Sequence, residues 1–541
     1  MGELQDCVSA LCIRHRVLFD RNDTSLPWSL MELPLLDRIE QPGSFVTLAT
    51  MQSTHEEHAS FCGVKRGNQP LRMPGPGEQY RFHFDMTKCI GCKCCVVACN
   101  EQNGNPPDIF WRRVGEIEGG VYPETRRHYL SIGCNHCLEP TCMKGCPVDA
   151  YSKDGVTGIV RHSADACIGC QYCTWNCSYG VPQFNPERGV VGKCDMCYGR
   201  LQDGENPACV MACPEDAIQI EIVRMDAWQQ EYREHANSPG MPSPDDSIST
   251  TRITLPQLAD CGLNRVDRGH LQLENPHWPL IFMTVLTQLS VGAFNAIGWM
   301  QAFAGHADRV ASLVALVIAL CALSASTLHL GRPLYAMRAL KMWRRSWLSR
   351  EVLLFTLFAA TATLYSACLW APMSGTTILG SIASLVGLSG VGASARLYLA
   401  PGRPAWNSPF TIFEFFSTTA LLGAAIASLL AHGTTGIWLV TACAACSLGV
   451  FCTKLAWLAR SPSHQLYGAW QLLSTTLSNK VLLRIGLLFV GLWLFNVEQA
   501  FPARAGALLL MLAGEFMGRY LFFVSVVPTN IASSFLMQEA A

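Results

Sequence analysis

Four cysteine-rich runs between residues 89 and 214 have the spacing of a repeated metal-binding motif. Two runs read C-x2-C-x2-C-x3-C, one widens the middle gap to four residues, and the last widens it to eleven. Together they place sixteen of the 26 cysteines at ordered spacings, enough for four four-cysteine sites. The runs are "CIGCKCCVVACN" at 89–100, "CNHCLEPTCMKGCP" at 134–147, "CIGCQYCTWNCS" at 167–178 and "CDMCYGRLQDGENPACVMACP" at 194–214.

Sets of four soft thiolates are the ligands that a cubane iron–sulfur cluster requires. Three cysteines from one tight turn and a fourth from a distant run is the arrangement of bacterial ferredoxins. Proline follows Cys146 and Cys213, as in ferredoxin runs, whereas Asn100 and Ser178 follow the final cysteines of the other two runs. The spacing therefore predicts [4Fe–4S] clusters.

Two other kinds of site use paired cysteines. Zinc binds CxxC pairs tetrahedrally, and small secreted domains use cysteines in disulfide frameworks. The three-cysteine front ends favour iron, because zinc sites are usually built from cysteine pairs. Cys94 lies inside the first run but off its spacing, so we interpret it as a spectator thiol outside the ligand set.

The composition divides the 541-residue chain into two unlike halves. A formal net charge of -1 gives no electrostatic reason to expect a nucleic-acid partner. The cysteine-rich part is mixed and polar, whereas long apolar runs follow from about residue 279, each near the length of about 20 residues that crosses a bilayer. The predicted spans are 279–300, 309–330, 351–371, 376–399, 408–431, 435–457, 483–500 and 505–527.

The sequence thus predicts an α+β, ferredoxin-like double 2[4Fe–4S] domain followed by an all-α bundle of eight transmembrane helices. A Pro, Ser and Asp cluster, "REHANSPGMPSPDDSISTT", separates the halves and is typical of a linker or extended arm. The predicted domains are an N-terminal extension of unknown role at 1–80, the cluster domain at 81–225, the linker at 226–276 and the membrane anchor at 277–530.

Basic residues predict which side of the membrane the clusters face. The first 30 residues lack both a continuous apolar core and a twin-arginine pair, so we expect no export signal there. The loops after the even-numbered spans are rich in Lys and Arg, whereas the alternate loops have few basic residues beyond Arg309 and Arg504. The positive-inside rule therefore predicts that the loops after the even-numbered spans are cytoplasmic. Because the first two spans form a hairpin, the clusters are expected on the same side. A reducing compartment also suits free thiolates. The alternative is that these loops contact a partner subunit. The basic residues are Arg332, Arg338, Lys341, Arg344, Arg345, Arg350, Arg396, Arg403, Arg460, Lys480 and Arg484.

With both halves in view, the chain resembles a fusion of two subunits of the dimethyl sulfoxide reductase family, the four-cluster iron–sulfur subunit and the eight-helix membrane anchor. In the first half, the resemblance is based on the segments "CNHCLEPTC", "ADACIGCQYCTWNC" and "GKCDMC". In the second half, it is based on "HWPLIFMTVLTQLSVGAF", "LHLGRPLYAMRAL" with the following "SREV", and "AGEFMGRYLFF". The resemblance implies a subunit that carries electrons between a membrane quinone and a separate molybdopterin catalytic subunit.

The resemblance also implies how the cysteines combine, because each ferredoxin-like half of that family exchanges the fourth ligand between two motifs. Cys170 stands where some relatives have tryptophan and a three-iron cluster, so all four clusters are expected to be cubanes. The implied sets are the first set, Cys89, Cys92, Cys95 and Cys213; the second set, Cys99, Cys194, Cys197 and Cys209; the third set, Cys134, Cys137, Cys142 and Cys177; and the fourth set, Cys146, Cys167, Cys170 and Cys173. The first two sets would lie toward the catalytic subunit and the last two toward the membrane.

Four ionisable residues at or inside the predicted spans are candidates for a quinone site, because burying such groups in a bilayer is costly. They are His329, Glu351, Glu515 and Arg519. Each also has an ordinary interpretation: an interfacial histidine, a helix-N-terminal carboxylate and an i,i+4 ion pair. His329 and Glu351 flank the loop after the second span, on the cluster side, and the resembling anchors use a His and a Glu at these places. Quinone chemistry moves two protons with two electrons, which a histidine and a carboxylate can exchange.

The sequence therefore predicts an electron-transfer and anchor subunit on the cytoplasmic side, similar to sulfite dehydrogenases. The alternatives are a subunit of an anaerobic dimethyl sulfoxide reductase that oxidises menaquinol, an ion-pumping quinone module, and a zinc-stabilised scaffold without redox function. Few acidic residues at mid-membrane beyond Glu414 and Glu515 disfavour the pump. We expect no haem, because the histidines after residue 276 lie mostly at helix ends or in loops.

Overall fold

A computed structural model describes residues 72–256, 263–266, 271–371, 375–431, 435–498 and 500–529. Pro70–Ala541 form one compact unit, so the cysteine-rich part and the helical part are packed together. The predicted extension at 1–80 lies almost entirely outside the described residues.

The cysteine-rich part is built from short strands and helices in four small sheets. The sheet orders are β8-β1-β9, β10-β2-β3, β4-β5 and β6-β7. The strands are β1 Glu78–Asp85, β2 Arg113–Gly119, β3 Arg126–Ile132, β4 Tyr151–Lys153, β5 Val160–His162, β6 Gln183–Asn185, β7 Val190–Gly192, β8 Ile218–Arg224, β9 Arg252–Thr254 and β10 Asn264–Arg265. The helices are α1 Cys94–Asn103, α2 Thr141–Gly145, α3 Tyr172–Asn176, α4 Tyr198–Gln202, α5 Ala208–Met211 and α6 Met225–His235. This part has the ferredoxin-like α+β character that the cysteine runs predict.

The cysteine runs combine tight turns with short helices. In each run the third cysteine lies within a short helix, as Cys95 does in α1 and Cys209 in α5. Gly91 and Gly169, inside the CIGC turns, have φ of 74° and 70°, which side chains with a Cβ rarely adopt. Such turns let successive sulfur atoms face the same side.

The segment predicted as a linker at 226–276 carries regular structure. Trp228 and Tyr232 on α6 are buried, and β9 joins β1 in parallel, with Phe84 opposite Ile253. These apolar side chains anchor an arm across the second cysteine run, where Leu138 N–H donates to the Ile248 carbonyl at 3.0 Å. The Pro and Ser composition therefore marks an arm packed on the cluster domain rather than a free spacer.

Eight helices of the described residues are long and apolar enough to cross a membrane, which confirms the predicted bundle. They are α7 Trp278–Ala304, α8 Arg309–Thr327, α9 Trp347–Trp370, α10 Thr376–Leu397, α11 Pro409–Ala431, α12 Thr435–Arg460, α14 Ser478–Val497 and α15 Phe501–Val524. A shorter helix that the hydropathy did not predict, α13 His464–Ser474, precedes the seventh span. The most apolar part of α7 is 83% buried against 22% for α14, so α7 is the central helix.

Small residues let the helices approach closely. A Cβ at Gly387 of α10 would lie 2.9 Å from the Phe358 ring, and one at Gly292 of α7 would meet the α11 backbone at the Thr419 carbonyl, 2.6 Å away. Such close approach is how helices associate in a bilayer, where no hydrophobic effect separates one apolar surface from another.

Several span boundaries differ from the hydropathy prediction, because polar residues extend the helices beyond their apolar cores. α9 begins at Trp347, so Glu351 lies in its second turn rather than at its start. Arg504, predicted in a loop, is buried inside α15 with its guanidinium 5.4 Å from the Phe495 ring centroid. The second span, by contrast, is shorter than predicted and ends at Thr327, two residues before His329.

Candidate metal centres and quinone site

The first set surrounds a cavity near the surface of the cluster domain. Cys89, Cys92, Cys95 and Cys213 all line it, although the fourth lies 118 positions after the third in the chain. Cys92 is exposed, and the Ala217 N–H donates to the Cys213 sulfur at 3.2 Å. This set is therefore the most exposed of the four.

The second set lies deeper. Burial, together with the neighbouring thiols of Cys209 and Cys197, raises the pKa of Cys99 to about 12. Cys194 also interacts with Cys99 and Cys209, and its sulfur accepts a hydrogen bond from the Met196 N–H at 3.4 Å. Cysteines of the first and fourth runs thus meet in two sets, as the resemblance implies.

Cysteines of the second and third runs combine in the same crossed way. Burial, with the thiols of Cys134 and Cys177 nearby, raises the pKa of Cys137 to about 12, although the Ser247 hydroxyl donates to its sulfur at 3.1 Å. Burial and the thiol of Cys177 also raise the pKa of Cys142 well above its ordinary value. These four form the third set.

The fourth set lies where the cluster domain meets the bundle. Burial, with the thiols of Cys146 and Cys167 nearby, raises the pKa of Cys170 to about 12, and Cys173 interacts with all three. Backbone N–H groups of Ala150 and Gly169 donate to the Cys146 and Cys167 sulfurs at 3.3 and 3.4 Å.

The sixteen cysteines fit iron–sulfur clusters. No three His, Cys, Asp or Glu side chains in the described part of the chain close around a single metal ion. The cysteines instead gather in fours, and in each set a protein N–H or O–H donates to sulfur. Buried neighbouring thiols resist ionisation together unless a cation compensates, and bound iron supplies that charge.

The fourth set is joined directly to the loop between α8 and α9. The Arg332 N–H donates to the Ile168 carbonyl at 3.1 Å, and the Gly331 N–H to the Gly169 carbonyl at 3.3 Å. The loop after α10 makes a second contact, because the Gly402 N–H donates to the Trp175 carbonyl at 3.1 Å. The cluster domain and these loops therefore share one face of the bundle.

We expect Gly402→Ala to lower the free energy of unfolding by about 1–3 kcal/mol, because overpacking a close backbone contact forces the chain to shift. A Cβ at this position would overlap the Trp175 carbonyl oxygen. Thermal unfolding of the purified protein measures the effect. Gly506→Ala, in open space on α15, is the control and should keep or raise the stability; equal melting temperatures for both variants would contradict the prediction.

His329 contacts the fourth set through the backbone. Its Nε2 lies 3.4 Å from the Cys170 carbonyl oxygen and its Nδ1 lies 2.8 Å from the Ser326 carbonyl oxygen. Burial lowers the pKa of His329, while the two carbonyl oxygens oppose that change. The imidazole is thus held beside a predicted cluster ligand, at the end of a transmembrane helix.

Glu351 lies close to the same stretch of chain. Its side chain is only 4% exposed and interacts with the Ser394 hydroxyl on α10. Tyr172, two residues after Cys170, lies close enough to interact with the Glu351 carboxylate, and so does Tyr398. His329 and Glu351 therefore lie near neighbouring positions of one short segment.

Comparison with known proteins supports both halves of the chain. The family model described as a 4Fe-4S dicluster domain matches residues 125–222, and the model of the DMSO reductase anchor subunit matches residues 273–524. A probable anaerobic dimethyl sulfoxide reductase chain of Escherichia coli is 42% identical over 150 residues, which are 26% of this chain and 73% of the relative. An anaerobic dimethyl sulfoxide reductase chain of Haemophilus influenzae is 36% identical over 190 residues, 34% of this chain and 88% of the relative. The chain belongs to the dimethyl sulfoxide reductase family.

The cysteine-rich part is also similar to a subunit of a sulfite dehydrogenase. A sulfite dehydrogenase subunit of Allochromatium vinosum is 35% identical over 160 residues, 26% of this chain and 67% of the relative. The chain is thus an iron–sulfur and anchor fusion of the dimethyl sulfoxide reductase family, a multi-pass membrane protein that combines electron transfer with membrane anchoring.

In this family member, Glu515 and Arg519 do not form the i,i+4 ion pair that was their ordinary interpretation. Glu515 accepts hydrogen bonds from Thr418 at 2.6 Å and Ser447 at 3.1 Å. Arg519 donates to the Gln288 side chain at 2.9 Å, and its guanidinium lies 3.8 Å from the Phe415 ring centroid. Each therefore finds its partners on the neighbouring helices α7, α11 and α12.

The structure adds Lys454, which the sequence did not single out. Lys454 on α12 pairs with Glu414 on α11 at 2.8 Å, and Arg484 on α14, expected in a basic loop, instead approaches Glu515 at 3.9 Å, with all four side chains buried. The lysine is detectable in sequence as a charge inside an apolar run. Tyr398 lies close to both Glu351 and Arg519, which connects the two predicted pairs.

Proposed function

We propose that this chain passes electrons between the membrane quinone pool and a separate molybdopterin catalytic subunit, through four [4Fe–4S] clusters. The observation that carries the proposal is the order of the cysteine sets. Cys95 of the first set neighbours Cys209 of the second, and Cys194 of the second neighbours Cys134 of the third. Tyr151 interacts with both Cys142 of the third set and Cys173 of the fourth.

The two ends of this series have different surroundings. At one end the exposed Cys92 and the neighbouring Ile90, 47% exposed, offer a surface for the catalytic subunit. At the other end Cys170 contacts His329. When bound, the clusters carry one electron at a time, so a quinone receives its two electrons in succession.

The proposed quinone site uses His329 and Glu351 as its principal side chains. Both lie close to the Cys170–Tyr172 segment of the fourth set and next to the loop between α8 and α9. The imidazole and the carboxylate would bind the two quinone oxygens and exchange the two protons. Glu515 and Arg519, across Tyr398, are proposed to contribute to the same region at longer range.

The clusters are proposed to face the cytoplasm. Several basic side chains of the loop after α8 contact the cluster domain, as Arg338 does at the Asp165 carbonyl, 3.0 Å away, and Arg345 at Asp149, 3.2 Å away. Contacts with the cluster domain explain these basic residues without any rule of membrane orientation. The proposed cytoplasmic orientation therefore depends on the other basic residues of the same loop region, among them Arg344 and Arg350.

Sulfite is the proposed electron donor of the complex, because an inward-facing catalytic subunit suits a cytoplasmic dehydrogenase and a sulfite dehydrogenase subunit is among the relatives. The second candidate is quinol-driven reduction of a sulfoxide, which the 42% identity to a probable anaerobic dimethyl sulfoxide reductase chain favours. The same series of clusters would serve both reactions, with electrons moving in opposite directions.

Inside-out membrane vesicles that contain the complex distinguish the two. Sulfite-driven reduction of the quinone pool is expected, and His329→Leu should lower its rate by about a hundredfold, the typical size of an acid–base contribution. His306→Leu, in an exposed loop after α7, is the matched control and should keep the rate. Quinol oxidation by a sulfoxide without any response to sulfite would reverse the direction. An unchanged rate in His329→Leu would refute the quinone site.

A further inference from the structure

Two buried cations lie between the cysteine sets. Arg112 is 3% exposed, and its Nη1 donates to the Ser131 hydroxyl at 3.1 Å, whose oxygen lies 3.6 Å from the Cys95 sulfur. The guanidinium also interacts with Cys99, Cys194 and Cys209. Arg112 therefore lies between the first and second sets.

Lys193 occupies the equivalent place between the next two sets of the series. It is 4% exposed, and its Nζ lies 3.7 Å from the Cys134 sulfur and donates to the Cys194 carbonyl at 2.8 Å. It also hydrogen-bonds to the Val160 carbonyl and interacts with Cys142. Lys193 therefore lies between the second and third sets.

Neither cation has a carboxylate partner within 4.0 Å among the residues that the structure describes. The Nη2 atom of Arg112 is buried without a hydrogen-bond partner, and a Cβ at Gly133 would lie 3.1 Å from it. Burying an unpaired charge is costly, so a compensating negative charge is required nearby. Buried Arg81, by contrast, pairs with Glu221 at 2.8 Å.

We propose that Arg112 and Lys193 are the counter-charges of the cluster series, and that they raise the reduction potentials of the clusters on either side of them. The inference rests on the proposed ligand sets. A four-thiolate cluster is anionic and gains one negative charge when it accepts an electron, so a fixed cation stabilises the reduced form more than the oxidised form. The cluster of the second set lies between Arg112 and Lys193. It should therefore be sensitive to both substitutions.

Potentiometric titration of the purified protein, followed by electron paramagnetic resonance, tests the proposal. Arg112→Gln should shift the reduction equilibrium of two clusters by about tenfold toward the oxidised form, or about 59 mV for one electron. Lys193→Gln should do the same for two clusters, one of them shared with the first variant. The fourth-set cluster should keep its potential in both.

Three controls keep the outcome decisive. Arg81→Gln removes a buried arginine that pairs with Glu221 and should leave all four potentials unchanged. Arg112→Lys and Lys193→Arg retain the charge and should retain the potentials. If a neutral variant loses clusters while its charge-retaining partner keeps them, the counter-charge is supported; if both lose them, shape rather than charge matters and the proposal is wrong.

The same samples separate this inference from the function on which it rests. Iron content and four distinct signals in the unaltered protein test the four ligand sets. Four clusters whose potentials ignore both neutral substitutions would overturn the role of Arg112 and Lys193 alone. Fewer than four clusters would overturn the proposed series as well.

Discussion

Cys170→Ala is expected to convert the fourth-set cluster to a three-iron form and to stop electron transfer to quinone. Cys170 is a proposed ligand whose carbonyl also contacts His329, so its cluster is the last before the quinone site. A cubane that loses one thiolate ligand tends to lose the iron bound there, which changes the cluster charge and its potential. Iron should fall by about one atom from about sixteen per chain.

Iron analysis, the electron paramagnetic resonance signal of a three-iron cluster and the rate of quinone reduction measure this effect together. Cys94→Ala is the matched control, because Cys94 begins α1 within the first cysteine run but off its spacing. It should keep both the iron and the rate. Loss of iron in Cys94→Ala, or full activity in Cys170→Ala, would contradict the assignment of ligands.

The cysteine sites show what a sequence can predict. Spacing determines which cysteines a tight turn brings together, so Cys89, Cys92 and Cys95 form a group on local grounds alone. The proposed fourth ligand, Cys213, requires the chain to return more than a hundred residues later, and the pairing of β1 with β8 brings it back. The strand pairing follows from tertiary packing. The spacing of the cysteines therefore could not predict the fourth ligand, which was predicted only from the family resemblance.

The helical bundle shows the same difference between what the local sequence predicts and what tertiary packing determines. Hydropathy alone predicts the eight spans, because each must satisfy its own backbone hydrogen bonds in lipid. It cannot predict which side chains meet across helices. Tyr172 and Tyr398, which lie near Glu351, come from parts of the chain more than two hundred residues apart. Likewise, Glu515 finds Thr418 and Ser447 rather than its i,i+4 neighbour.

Lys454→Met is expected to destabilise the membrane domain by about 3–5 kcal/mol, because it leaves the buried Glu414 carboxylate without its partner. The Lys454 Nζ lies 2.8 Å from Glu414 Oε2, with both side chains about nine-tenths buried. The Phe522 ring centroid, 5.0 Å from Nζ, provides an apolar wall rather than a replacement acceptor. Without Lys454 the carboxylate loses its direct partner and keeps only the longer-range attraction of Arg519.

The double variant Glu414→Gln/Lys454→Met removes both charges and should recover most of the lost stability, since replacing a buried pair costs far less than breaking it. Lys480→Met removes a lysine that hydrogen-bonds to Tyr520 at the exposed edge of α14, and should change stability by less than about 1 kcal/mol. Unfolding by titration with denaturing detergent in mixed micelles compares the four proteins. If the double variant is as unstable as Lys454→Met, the loss comes from packing of the lysine stem, and the buried charge at Glu414 is not its cause.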